Sequence, residues 1–296
     1  MTVMKAVKKA APGRGISVTT DQIPVIGSDD ILIKVKLAGI CGTDLHIYKW
    51  DEWSKKRMKH PVIIGHEFVG EIVDIGSNVN HLKKGQRVSA EGHITCGHCQ
   101  YCQNGKGHIC KDVKIIGIDT DGCFAEYIKM PARNIWPVHE AISDRHAAIF
   151  DPLGNAMHTV MSQPIAMKTI LITGTGSIGL FAIAIAKANG AEKIIISEPN
   201  PYKRELAVKV GADFVLDPTD KNIEKEIMDI TRGNGPDILL EMSGNPGALR
   251  MGLGLLSKGG TASLLGIPER EVPINIAEEI IFKGITIHGI TGRRMF

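Results

Sequence analysis

Several things are scarce or missing in this sequence of 296 residues, and each absence narrows what the protein can be. An excess of one sign of charge is nearly absent: the net charge is only +3, and no basic run is longer than Lys55-Lys56-Arg57, so nothing calls for nucleic acid or an anionic membrane as partner. The first ten residues carry lysines but no apolar core and no small-residue cleavage pattern, so no secretory signal is read and cytoplasm is the expected compartment. No solenoid repeat and no low-complexity linker interrupts the chain. One uncharged stretch, Thr169 to Ala186, is long enough to raise the question of a membrane span. The glycines of Thr173-Gly174-Thr175-Gly176-Ser177 in its middle point instead to a buried strand, a tight turn and a buried helix.

The remaining composition, 43% hydrophobic and 23% charged, is that of a globular protein, and the length favours two domains. Their boundary is expected near residue 160. Before it, short alternating runs such as Ile31–Leu37, Phe68–Val73 and Arg87–Ala90 are parted by Gly, Asp and Asn turns, the pattern of twisted antiparallel strands. A helix over Arg145–Val160 is the expected bridge. After it, six strand-like runs alternate with helical stretches: Thr169–Thr173, Lys193–Ser197, Phe214–Leu216, Ile238–Glu241, Thr261–Leu265 and Ile285–Ile290. Regular alternation of this kind predicts an α/β fold with a doubly wound parallel six-stranded sheet.

The turn between the first of these strands and its helix reads Gly174-Thr175-Gly176-Ser177-Ile178-Gly179, a G-x-G-x-x-G. The first glycine permits the tight turn, the second lets backbone approach a pyrophosphate, and the third lets helix pack on strand. Glu198 closes the next strand, where an acidic side chain can accept from both adenosine ribose hydroxyls. That favours NAD over NADP, although Lys203 and Arg204 just behind it could hold a 2′-phosphate.

Cysteine is distributed unevenly. Four of the six stand at Cys96, Cys99, Cys102 and Cys110, a C-x2-C-x2-C-x7-C among glycines, which suits a closed tetrahedral zinc holding a loop with little core of its own. An iron–sulfur cluster would bring the fourth cysteine sooner and before proline, whereas Lys111 follows Cys110. His98 and His108 are read as bystanders. A second set is dispersed: Cys41, His66 and Glu67 would make a zinc site that keeps a position open. Gly70 stands where H-E-x-x-H needs histidine, so the metalloprotease reading fails.

Gly65-His66-Glu67 with Gly70, the Cys41-Gly42-Thr43-Asp44 element, the four-cysteine lobe and the Gly174–Gly179 turn, in that order, resemble the zinc-containing medium-chain dehydrogenases over residues 1 to 296. The resemblance implies a GroES-like catalytic domain over 1–160 and an NAD-binding Rossmann domain over 161–296, with two zinc ions per chain. It implies that Cys41, His66 and Glu67 bind the catalytic zinc and that Asp151 is an intermittent ligand or part of the proton path. It makes Thr43 and His46 the relay that carries the alcohol proton outwards. Gly174, Gly176, Ile178, Gly179, Glu198 and Lys203 would hold the pyrophosphate and adenosine end of the cofactor. Leu265, Gly266, Ile267, Ile290 and Thr291 would give it backbone contacts.

Within the family, the segments His46–Trp53, Gly92–Cys99, Asp151–Ala156 and Gly289–Arg293 imply L-threonine as the small-molecule substrate. His93 and Arg293 are candidates for its carboxylate and ammonium. A polyol or diol handled by the same chemistry is the near alternative. Members of the family continue past the position of Phe296, which adds the alternative of a truncated, non-catalytic nucleotide-binding protein. They are commonly homotetramers, the assembly expected here, with neither nucleic acid nor membrane as partner.

Overall fold

The structure is a computed structural model and describes residues 3–294. It divides into two compact units: the chain through Asp151 together with Arg294, and Pro152–Arg293. No described helix is long and apolar enough to cross a membrane.

The first unit begins with β1 (Val3–Lys9), β2 (Ser17–Gln22) and β3 (Asp30–Gly39), followed by α1 (Gly42–Lys49) and α2 (Glu52–Arg57). Next come β4 (Val62–Ile63), β5 (Glu67–Ile75), β6 (Arg87–Ala90), β7 (His93–Ile94), α3 (Gln100–Gln103) and β8 (Lys114–Ile115). β9 (Tyr127–Pro131), β10 (Ile135–Pro137) and α4 (Asp144–Ala147) complete it, and α5 (Phe150–Val160) contains the division between the units. The pairing is antiparallel: β2-β1-β4 in one sheet, β10-β6-β5-β3-β9 in another, and a β7-β8 ladder. Alternation decides which side chains go inward, since Ile31 and Ile33 are fully buried with Phe68, Ile72, Val88, Ile128 and Met130 while Lys34 beside them is exposed. Full burial of each such isoleucine contributes roughly 1.5–3 kcal/mol. Two register shifts in the β3–β5 ladder, at Leu32/Ile33 and Val35/Leu37, interrupt its regular pairing.

The single helix predicted over Arg145–Val160 is two, α4 and α5. Ser143 caps the first, its hydroxyl accepting from His146 N. Pro152 sits in the first turn of the second, where its missing N–H costs nothing.

The second unit continues as β11 (Thr169–Thr173), α6 (Ser177–Ala188), β12 (Lys193–Ser197), α7 (Pro201–Val210), β13 (Phe214–Leu216), α8 (Ile223–Ile230), β14 (Ile238–Glu241), α9 (Pro246–Leu255), β15 (Thr261–Leu264) and β16 (Thr286–Gly289). All six strands are parallel, in the order β13-β12-β11-β14-β15-β16. Because side chains alternate, Ile170, Ile172, Ile194, Ile196 and Leu240 pack on one face with Ala182 and Ile183 of α6. Leu171, Ile195 and Leu239 pack on the other with Ile227 of α8 and Leu253 of α9. A sheet covered on both faces explains strands that are apolar throughout, and why β11 is buried at every residue. Caps set the helix starts: Asn200 and Asn245 accept from the first-turn amides of α7 and α9, and Pro201 and Pro246 follow them. Between β15 and β16 the chain makes one π-helical turn, Ile276–Ile281.

Candidate active site

In the second unit, β11 lies between β12 and β14, so the connections that leave β11 and β14 run in opposite senses and open a crevice at the C-terminal ends of these two strands. The Gly174–Gly179 turn sits at that point. Gly174 has φ +85°, and a Cβ on it would lie 2.8 Å from Ser243 Cβ; one on Gly179 would lie 2.1 Å from Gly174 O. Around Gly176, the N-cap of α6, there is open space within 4 Å. The three glycines thus serve the turn, the approach and the helix packing that the spacing requires, and the helix N-terminus is left clear for an anion. A cavity of about 890 Å³ adjoins it, lined among others by Gly174, Gly176, Glu198, Lys203 and Asn245.

Glu198 is buried, and its carboxylate is held by its own chain: Oε2 accepts from Thr175 N (2.8 Å) and Thr175 Oγ1 (3.0 Å), Oε1 from Asn200 N (2.9 Å). Burial pushes this carboxyl up, but those donors outweigh it and hold it below the ordinary glutamate value. Arg204 is tied down, donating to Glu198 O, Pro199 O and Asp217. Lys203 and Lys221 are the basic side chains that line the cavity, and Lys203 is the one beside Glu198. Ile178 packs against the sheet core, Leu265–Ile267 follow β15, and Ile290 and Thr291 follow β16, all on the crevice edge of the sheet.

Sequence reasoning passes over Glu241, at the end of β14 and almost fully buried. Its Oε1 accepts from Thr173 Oγ1 (3.3 Å), Ser243 N (2.9 Å), Ser243 Oγ and Gly244 N (3.1 Å), and its carbonyl accepts from Leu265 N and Gly266 N. One residue thereby fastens the ends of β11, β14 and β15 together.

In the first unit, Cys41, His66 and Glu67 each present a ligand atom, all within 4.8 Å of one another. Cys41 is the N-cap of α1: its N–H donates to Asp44 Oδ2 (2.8 Å) and its carbonyl accepts from Asp44 N (3.1 Å). Glu67 opens β5 opposite Gly39, where a Cβ would fall 2.3 Å from Glu67 Oε2. His66 follows Gly65, whose φ is +91° and whose missing side chain leaves room for the Phe124 ring. Gly117 and Gly122 close on the same backbone, since a Cβ on either would lie 2.5 or 2.1 Å from Gly65 O. Behind the ligands, Asp44 Oδ1 lies 3.9 Å from His66 Nδ1. Burial pushes the Cys41 thiol up to about 11, with Glu67 adding to it, and pushes the Asp44 carboxyl up to about 6. Sulfur, imidazole and carboxylate donors crowded together, with burial that penalises the Cys41 thiolate, fit a divalent cation, and this mixed set of three suits zinc with one position open.

Cys96, Cys99, Cys102 and Cys110 also converge within 4.8 Å, and all six cysteines are free thiols. Cys99 N and Cys96 N donate to Cys96 Sγ and Cys110 Sγ (both 3.3 Å); the amides of Cys102 and Lys111 pull the Cys99 thiol down to about 6, while burial pushes the Cys110 thiol up to about 11. Amides aimed at sulfur stabilise thiolate, so this lobe fits a closed zinc. His98 bonds Cys96 O and neither it nor His108 belongs to the group.

Thr43 Oγ1 is 3.7 Å from Cys41 Sγ, and His46 stands three residues further on α1 with Nδ1 against Asp51. Asp151 lies in the first turn of α5 and is not part of the Cys41 group. His93 bonds Glu91 (2.8 Å), and Arg293 is buried against Gly154. Asp44 and Asp51 join Cys41 and His46, and neither is a residue that the sequence motifs single out for a role. The signal for Asp44 is its place three residues after an N-cap, where an acidic side chain reaches back.

Two family descriptions match: the alcohol dehydrogenase GroES-like domain over residues 27–140 and the zinc-binding dehydrogenase over residues 177–295. The chain belongs to the zinc-binding alcohol dehydrogenase family. Among its relatives are L-threonine 3-dehydrogenases: that of Pyrococcus horikoshii is 49% identical over 99% of this chain and 84% of its own, and that of Caldanaerobacter subterraneus 50% over 99% and 85%. Similar solved structures include an NADP-bound zinc-binding dehydrogenase of Sinorhizobium meliloti (33% identity, TM-score 0.93, 100% of this chain and 86% of that one). Another is the 2R,3R-butanediol dehydrogenase of Bacillus subtilis (29%, TM-score 0.88, 99% and 85%).

Proposed function

We propose that the protein oxidises the secondary alcohol of L-threonine to 2-amino-3-oxobutanoate with NAD as acceptor. The observation that carries the chemistry is the convergence of Cys41, His66 and Glu67; the substrate follows from the threonine dehydrogenases that match nearly the whole chain. Zinc held by these three residues would supply a Lewis acid that makes a hydroxyl acidic near neutral pH, and NAD the two-electron acceptor.

The chain's own residues do the rest. Asp44, whose Oδ1 lies 3.9 Å from His66 Nδ1, places a carboxylate behind the ligating histidine. Thr43 receives the alcohol proton and His46, on the same helix face three residues on, passes it to water. Asp151 then belongs to the proton path. Gly174, Gly176, Gly179 and Ile178 seat the pyrophosphate at the start of α6, while Glu198 and Lys203 meet the adenosine ribose. Leu265–Ile267 and Ile290–Thr291 present backbone to the nicotinamide end. Cys96, Cys99, Cys102 and Cys110 hold the second zinc, which keeps its loop folded. The assembly we propose is a cytoplasmic homotetramer, for which sedimentation at working concentration is the check.

A second reading, a diol as substrate, is favoured by the likeness to the butanediol dehydrogenase. NADH formation by protein of known metal content, offered L-threonine, sorbitol and 2,3-butanediol in turn, decides between them. Selective turnover of L-threonine is expected; preference for either diol or polyol overturns the substrate.

A further inference from the structure

His46 is held in a built geometry that the alcohol chemistry alone does not explain. α1 ends at Trp50 in the left-handed conformation (φ 59°), and its N–H closes the helix on His46 O (2.9 Å). That turn is clamped from outside: Lys9 Nζ lies 4.6 Å from the Trp50 ring centroid and donates to Gly15 O (2.9 Å), and His60 meets the same ring edge-on. Ile47, Trp50, Trp53 and Met58 anchor both helices in one apolar cluster. The turn brings Asp51 back onto the helix it follows. One carboxylate oxygen, Oδ1, caps α2 by accepting from Ser54 N (3.0 Å), and the other, Oδ2, contacts His46 Nδ1.

An ionised carboxylate only accepts, so Nδ1 must carry the proton and the neutral ring keeps its lone pair on Nε2. The other charged groups nearby are otherwise engaged or point outward: Glu52 pairs with Lys55 (2.5 Å), and Lys49 is exposed. Asp44, on the same helix, bonds the Cys41 amide. Trp53 stands at 6.1 Å with its ring tilted and offers no charge.

We propose that Asp51 is the positioning residue of the proton relay, holding His46 in the tautomer whose Nε2 takes the proton that Thr43 passes on. This rests on the reading of Thr43 and His46 given above. The proton leaves the substrate hydroxyl, reaches His46 Nε2, and departs from the same nitrogen to water; Asp51 stabilises the transient imidazolium and is itself never protonated.

Two substitutions separate this role from the cap. Asp51→Asn keeps an oxygen for Ser54 N but turns an NH2 toward Nδ1, which forces the proton onto Nε2 and blocks it as a base. Asp51→Ser also caps a helix but leaves the ring unheld. His46→Gln serves as the control for the relay itself. L-Threonine oxidation is followed across about pH 6 to 9, together with zinc content, NADH affinity by fluorescence and Tm.

The expected result is a fall in kcat of about tenfold or more in Asp51→Asn, with zinc content, NADH affinity and Tm unchanged. In Asp51→Ser kcat should fall less than in Asp51→Asn, because the unheld ring still samples the tautomer with a bare Nε2. Added imidazole should restore part of the rate in both Asp51→Asn and His46→Gln. A wild-type kcat profile in Asp51→Asn beside an impaired His46→Gln overturns the proposal while leaving the relay standing. A wild-type profile in His46→Gln removes the relay, and the proposal with it. Losses of rate in both Asp51 variants that merely follow losses of zinc and Tm would make the effect structural and overturn the proposal.

Discussion

Cys41 does two jobs that chemistry can separate, since its backbone starts α1 and its sulfur faces His66 and Glu67. Cys41→Ser keeps the backbone role and gives up the thiolate. The expected outcome is one zinc per chain instead of two, loss of turnover, and NADH binding unchanged, read by metal analysis and fluorescence titration; an undiminished kcat would refute the ligand assignment. Glu198 is a subtler case. A small neutral residue there frees Thr175 N and Asn200 N and removes the negative charge beside Lys203. The ratio of kcat/KM for NAD to that for NADP should fall; an unmoved ratio means the ribose is met elsewhere. The glycines of the turn are legible in the sequence because each role demands the lack of a side chain. That Glu198 is held by Thr175 is not, because the ends of β11 and β12 meet only once their register is set. Asp51 escapes for a similar reason, as its contact with His46 depends on a left-handed Trp50 that no pattern announces.

At the scale of elements, the lobe between β7 and β8 shows what a metal can replace. The ladder that carries it pairs only His93 with Ile115 and Ile94 with Lys114, and within the loop Cys110 is the one buried residue among 96–110. So little apolar burial cannot order a loop of this length against its conformational entropy. Cys102→Ser should therefore lose one zinc, lower Tm and open residues 97–109 to proteolysis while NADH affinity stays constant; a lobe equally resistant to protease without its metal would contradict this. Cysteine spacing is enough to make this element legible, because ligands that close on one ion must sit a few residues apart. Strand limits in the second unit are legible as well, β11 to β14 to the residue, because the apolar runs, buried on both faces in β11 and β14, end where the sheet ends. The split of α4 from α5 is not, since the helical pattern of Arg145–Val160 runs on across Ala148 and Ile149.

For the molecule as a whole, acid is the informative stress. The carboxyls of Asp21, Asp51, Asp119 and Glu198 all lie below their ordinary values: burial works against this in each, secondarily in Asp21, and hydrogen bonds or ion pairs outweigh it. A lowered folded pKa means stabilisation that is complete above the unfolded value, 3.8 for the aspartates and 4.5 for Glu198, and is lost as pH falls through the folded one. Asp44, raised to about 6, has the opposite sign and favours the fold most below 3.8. With more groups on the first side, the urea midpoint should drop between about pH 5 and pH 3, and Asp119→Asn, which breaks the pair with Arg57, should make that drop shallower. A midpoint indifferent to acid would show these contacts to be energetically silent. The sequence announces six strands but not their order, which is settled by helices competing for two faces of one sheet.

The three glycines around His66 carry a further consequence, one of permitted sequence rather than of energy. Gly117 and Gly122 press on Gly65 O, and Gly65 in turn leaves its place to Phe124. What blocks a side chain at 117 or 122 is main chain, which no change of a neighbouring residue can remove. A side chain at either position would have to displace the backbone that places His66, and a library varying these two codons, alone or together, should return glycine at both among its metal-binding survivors.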